Sequence, residues 1–186
     1  MNQNNIRQIL SKHAVIPVVN FDRIEDVEKT IEKLLKRNIH CIEITLRTAL
    51  AFDCIAMAKK LNYPNFDVGI GTVVTEDQIN KAKDLEVAFM VSPGINEHLA
   101  PHFEESKIAF IPGIATPSEI ICGKQLSWDT FKFFPAHLFG GLKSLKTYGQ
   151  VFPDIMFCPT GGITEETHKE YLNLNNVISV GGSWIV

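Results

Sequence analysis

The chain has 186 residues, 45% of them hydrophobic, enough for one substantial core and too few for two full domains. A net charge of -3 and a pI near 6.1 exclude the broad basic field of a non-specific nucleic-acid binder, while leaving room for a local basic pocket. No apolar run approaches the ~20 residues that span a bilayer, and the polar residues 1–5 lack the charged-then-apolar profile of a signal peptide.

The four cysteines, Cys41, Cys54, Cys122 and Cys158, are scattered without a CxxC pair. They read as reduced thiols and small core residues, which suits the cytoplasm. Residues 1–186 therefore read as a single cytoplasmic domain.

Along the chain, short apolar runs recur at residues 14–19, 41–45, 66–70, 87–91, 108–111, 131–134, 155–158 and 177–180. Each is short and β-branched or aromatic, as buried strands are. Helical patterns fill the gaps. Ile24, Val27, Ile31, Leu34 and Leu35 share one helical face, opposite Glu25, Glu28, Lys33 and Lys36. Thr75 with Gln78, and Thr116 with Glu119, have capping-box spacing, and Pro117 suits the first helical position. Alternating strand and helix predicts a parallel sheet with right-handed crossovers. Eight strands predict an α/β fold closed into a (βα)8 TIM barrel, with an open doubly wound sheet as the alternative. The chain ends at Val186, directly after the eighth run, so the expected barrel lacks its final C-terminal helix.

In such barrels chemistry gathers at the C-terminal ends of the strands. Lys132 lies between Phe131 and Phe133, and strand alternation sends it to the opposite face. If the aromatics face the helices, Lys132 points inward, where burial favours the neutral, nucleophilic amine. The plain alternative is a solvated lysine on an edge strand. Glu43, between Ile42 and Ile44, follows the same logic and is a candidate proton shuttle, or else half of a structural ion pair. Arg47, just past the second run, could clamp a carboxylate with its planar fork, or sit on the surface at a helix start. The Gly161-Gly162 and Gly181-Gly182 pairs, with Thr160 and Ser183 beside them, suit an anion cradle of exposed backbone N–H groups, or two tight turns. His98 and His102 have i, i+4 spacing without a third ligand and read as a surface helix face rather than a metal site.

These residues sit in a series of ordered segments: 15–18 (VIPV), 42–48 (IEITLRT), 69–73 (GIGTV), 92–94 (SPG), 111–116 (IPGIAT), 131–136 (FKFFPA), 157–163 (FCPTGGI) and 181–184 (GGSW). Through them, and nearly end to end, the chain resembles the class I aldolases of the 2-keto-3-deoxy-6-phosphogluconate (KDPG) and 4-hydroxy-2-oxoglutarate family. The resemblance implies Lys132 as the Schiff-base amine and Glu43 as general acid/base. It implies Arg47 and Thr72 at the substrate carboxylate, with Pro93 and Phe134 also lining the site. Thr160, Gly161, Gly162, Gly182 and Ser183 would surround the far end and its phosphate. It further implies a homotrimer acting on a 2-keto acid or sugar-acid phosphate, with no metal or cofactor. Phe139 departs from the pattern, which has a polar residue before the following glycine pair. The rival reading is a phosphate-binding barrel without aldolase chemistry. Within the enzyme class, the alternatives are 4-hydroxy-2-oxoglutarate or the galactonate-derived epimer as preferred substrate.

Overall fold

The computed structural model describes residues 2–186. The elements alternate as follows: α1 (Asn2–Lys12), β1 (Val15–Val19), α2 (Asp26–Lys36), β2 (Cys41–Thr45), α3 (Ala51–Leu61), β3 (Asp67–Gly71), α4 (Glu76–Asp84) and β4 (Phe89–Val91). Then come α5 (Ala100–Ser106), β5 (Ala109–Ile111), β6 (Gly113–Ile114), α6 (Pro117–Gln125) and β7 (Thr130–Phe133). After a 3-10 turn (Ala136–Phe139) follow α7 (Gly141–Val151), β8 (Met156–Pro159), α8 (His168–Leu172) and β9 (Val180–Gly182).

Every strand pairing is parallel. One run has the order β5-β4-β3-β2-β1-β9 and the other β6-β7-β8. The two runs meet in two places. β5 and β6 are halves of one extended stretch, split at Pro112, which has no N–H to donate; Lys132 N still donates to Pro112 O at 2.9 Å. On the other side, parallel bridges join Phe157 to Val177 and Thr160 to Gly181. The result is a curled parallel sheet with helices on its convex side, as the strand–helix alternation predicts.

Strand alternation divides the core in two. Ile42, Ile44, Phe131 and Phe133 face the helices and pack with Ile31, Leu34, Ile55, Ile120 and Leu145. The concave face carries Ile16, Cys41, Phe89, Val91, Ile111 and Cys158. Both capping boxes form: the Thr75 and Thr116 hydroxyls accept from Gln78 N and Glu119 N, whose side chains reach back.

Three expectations are revised. The Asn-rich N-terminus, read only as polar, forms α1, because Ile6 and Leu10 bury a stripe against the concave cluster. Polar contacts hold the helix in place: the Gln3 side chain pairs with the backbone of Asp129 and Thr130, and Arg7 donates to Thr130 Oγ1 at 2.7 Å. Cys122 is not a core residue; it is partly exposed beside Glu97. His98 and His102 do not share a helix face, because Asn96 Oδ1 accepts from His98 N and holds a turn before α5 begins. His102 instead meets Glu76 at 3.4 Å.

Candidate active site

On β2, outward-packing Ile42 and Ile44 turn Glu43 to the concave face, and on β7 outward-packing Phe131 and Phe133 do the same for Lys132. Both side chains are buried, at 3% and 5% exposure for the residues. Lys132 Nζ donates to Glu43 Oε1 across the interior at 3.2 Å. The Phe134 ring centroid lies 5.2 Å from Nζ, within reach of a cation–π contact.

Three features shape this pair. Gly71 makes room for the acid: a Cβ there would stand 2.2 Å from Glu43 Oε1, far inside van der Waals contact. Below the pair lies a void of only about 10 Å³, walled by Leu10, Ile16, Phe89, Val91 and Ile111, too small for a chain of waters. Beside Lys132 in register is Cys158, which receives a hydrogen bond from the Ser179 hydroxyl at 3.1 Å. Burial pushes the Cys158 thiol up to about 11. It therefore stays neutral at physiological pH and does not compete with the amine as a nucleophile.

Above the pair, a pocket of about 190 Å³ opens at the C-terminal ends of the strands. It gathers Arg47 after β2, Lys132 and Phe134, Thr160, Gly161 and Gly162 after β8, and Gly182 and Ser183 at the end of β9. Gly161 and Gly162 have φ of 100° and 69°, a left-handed backbone that glycine adopts without strain. Larger, more open surface grooves exist, such as the one beside Val186, but the pocket above Lys132 opens onto the buried amine. Among the described residues, no group of three or more His, Cys, Asp and Glu is arranged to hold a metal ion.

Thr72 and Pro93 do not line this pocket. Thr72 nevertheless holds φ of 65°, a strained left-handed conformation for a β-branched residue, and Val73 N is tied to Val91 O at 3.0 Å immediately after it. Val18, Asn20 and Ile163 line the pocket without having been singled out from the sequence. For Asn20 a signal existed: it directly follows the first apolar run, the same position relative to its strand that drew attention to the other strand ends.

The KDPG and KHG aldolase model matches residues 6–186. A 2-dehydro-3-deoxy-phosphogluconate aldolase of Zymomonas mobilis is 37% identical over 98% of this chain and 86% of its own. A KHG/KDPG aldolase of Escherichia coli is 37% identical over 99% of this chain and 86% of its own. Among solved structures, the KDPG aldolase of Legionella pneumophila, with pyruvate captured as a covalent carbinolamine intermediate, superposes with a TM-score of 0.93 at 39% identity. It covers 97% of this chain and 87% of its own. The Zymomonas mobilis KDPG aldolase with 3-phosphoglycerate superposes with a TM-score of 0.95 at 36% identity, covering 99% of this chain and 87% of its own. A buried lysine–glutamate pair beneath an anion-suited pocket, on a sheet that superposes on these enzymes throughout, belongs to a chain that is a member of the KDPG and KHG aldolase family.

Proposed function

We propose that this protein is a class I aldolase that cleaves KDPG to pyruvate and glyceraldehyde 3-phosphate through a Schiff base on Lys132. The observation that carries the reading is the buried contact of 3.2 Å between Lys132 Nζ and Glu43 Oε1 at the floor of the pocket. The curled sheet is taken as a (βα)8 barrel. Its hydrogen-bonded junctions at Pro112 and between Thr160 and Gly181 support closure. A homotrimer in the cytoplasm, with no metal or cofactor, completes the proposal on the strength of the family membership.

Lys132 passes a proton to Glu43 across their hydrogen bond, the neutral amine attacks C2 of the keto acid, and a proton of the attacking nitrogen moves to the carbonyl oxygen to give a carbinolamine. Glu43, within hydrogen-bond distance of Nζ, gives a proton to the departing hydroxyl, and water leaves an iminium ion. The Phe134 ring faces this positive charge. The iminium is an electron sink. Glu43, now a base, takes the C4 hydroxyl proton, the C3–C4 bond breaks, and its electron pair moves to C3 to form the enamine as the aldehyde departs. Protonation at C3 and hydrolysis release pyruvate and regenerate the amine. Arg47 is assigned to the substrate carboxylate, in company with Thr72 at the neighbouring strand end. Pro93, just past the adjoining β4, is assigned to the same end of the site although it does not line the pocket. Thr160, Gly161, Gly162, Gly182 and Ser183 are assigned to the phosphate end.

4-Hydroxy-2-oxoglutarate is a second substrate of the same site in this proposal, because the Escherichia coli relative bears both names, KHG and KDPG aldolase. A pure binding protein gives no reason to bury an amine against an acid, and that rival is set aside.

The test is incubation with pyruvate and sodium borohydride, followed by peptide mapping of the adduct by mass spectrometry. A reduced pyruvyl group on Lys132 is the expected result. Folded protein with no adduct, or an adduct on another lysine, overturns the assignment.

A further inference from the structure

Asn20 lies on the pocket wall, and no step of the mechanism uses it. It directly follows β1, whose neighbours in the sheet are β9 on one side and β2 on the other. The end of β9 carries Gly182 and Ser183, and the turn after β2 carries Arg47. Asn20 therefore stands between the groups assigned to the phosphate and the group assigned to the carboxylate. What a six-carbon substrate presents between its two anionic ends is its hydroxyl groups.

The amide is oriented. The buried Thr45 hydroxyl donates to Asn20 Oδ1. With its oxygen engaged, Asn20 has the two N–H bonds of Nδ2 left to offer. The residue also edges the open groove beside Val186, whose charged walls, Asp22, Asp26, Lys29 and Lys33, are solvent-facing and mixed in sign. Only on the Lys132 side does a donor meet a buried reaction centre.

We infer that Asn20 is a specificity-determining residue, whose Nδ2 donates to the C5 hydroxyl of the phosphorylated substrate. The C4 hydroxyl is already committed, because its proton goes to Glu43. Thr45 acts through Asn20 as a positioning residue. The inference rests on the aldolase reading, and the experiment separates the two.

Pyruvate alone forms the iminium and enamine, exchanging its methyl protons with solvent deuterium, but has no C5. Asn20→Leu keeps the size of the side chain and removes the donor. The expected result is a fall of about tenfold or more in kcat/KM for KDPG cleavage, with the rate of pyruvate methyl exchange unchanged. Thr45→Val should move cleavage in the same direction by a smaller factor and also spare exchange. Asn20→Asp, which can accept but not donate when ionised, should be at least as impaired in cleavage as the leucine variant. Equal losses in cleavage and exchange for Asn20→Leu would show a general structural role and overturn the inference. So would full retention of both. Wild-type protein that fails to exchange pyruvate protons overturns the aldolase reading itself, a different outcome from an exchanging enzyme indifferent to Asn20.

Discussion

Replacing Lys132 by alanine removes the amine at the pocket floor. Turnover should fall by at least about a thousandfold, read as aldehyde release in a coupled assay. It also strands Glu43 in a buried site, and breaking a buried pair typically costs about 3–5 kcal/mol while the remaining group stays charged. The variant should fold by circular dichroism yet melt early, and adding Glu43→Gln to Lys132→Met should recover most of the loss. If the single variant melts like wild type, the two groups are not coupled in the way their geometry indicates. Glu43→Gln alone keeps the shape and loses the proton transfer, for an expected drop of about 10²- to 10⁴-fold in kcat. Gly71→Ala is the more searching substitution. It leaves every polar residue in place but puts a methyl group where the Glu43 carboxylate lies. A displacement of about 1 Å at a reacting group can cost about a hundredfold, so kcat should fall far more than stability does.

At the scale of elements, β2 and β7 were legible because each sets one charged residue between two apolar ones, which leaves an inward-facing ionisable group or a solvated edge strand, and the burial of Glu43 and Lys132 decides for the first. Both capping boxes were legible for a similar reason: spacing and residue type suffice. α1 was not, because its asparagines and glutamines favour no particular structure and its apolar stripe is short. Its stability comes from Ile6 and Leu10, which are 0% and 2% exposed, and from contacts to the start of β7 that lie far off in sequence. Thr72 and Pro93 stand at strand ends, but their roles came from resemblance to a family, and neither lines the pocket. Leu10→Ala should cost about 2–5 kcal/mol, measured by denaturant unfolding, and should enlarge the void below Lys132 enough to admit water. An unchanged midpoint would mean that α1 does not stay docked in solution. Glu119 tests the caps. Burial opposes its ionisation, but hydrogen bonds from Ala115 N, Thr116 N and the Thr116 hydroxyl outweigh it and hold its carboxyl below the usual range. A depressed carboxylate contributes stability that is present above its unfolded-state value and is lost as pH falls through the folded one. Glu119→Ala should therefore lose about 1 kcal/mol near neutral pH, and the gap to wild type should close in acid. A gap that persists at low pH contradicts the cap account.

Over the whole molecule, charge and site pull in different directions. The net charge is -3, so the protein as a body repels an anionic metabolite, and on the proposed assignment the attraction comes from the local field of Arg47 and the backbone around the glycines. Local fields are screened with a Debye length of about 10 Å at 0.1 M salt. Raising sodium chloride from about 0.05 to about 0.5 M should raise KM for the phosphorylated substrate several-fold while kcat stays nearly constant, and Arg47→Ala should raise KM and flatten that dependence. A KM indifferent to salt would move the anion's recognition from charge to hydrogen bonding alone.

The docking of α1 under the sheet also limits the order of events. With hydrocarbon below Lys132 and only about 10 Å³ of free space there, the described residues leave substrate, products and the hydrolytic water the pocket at the C-terminal strand ends as their shared entrance. While the aldehyde occupies that passage, water has no second route to the imine carbon. The aldehyde must therefore leave first and pyruvate last, so that the enzyme left at the end of each turnover is one that pyruvate can re-enter. Steady-state product inhibition should be competitive for pyruvate and non-competitive for the aldehyde, and an enzyme opened from beneath by Leu10→Ala should begin to lose that strict sequence.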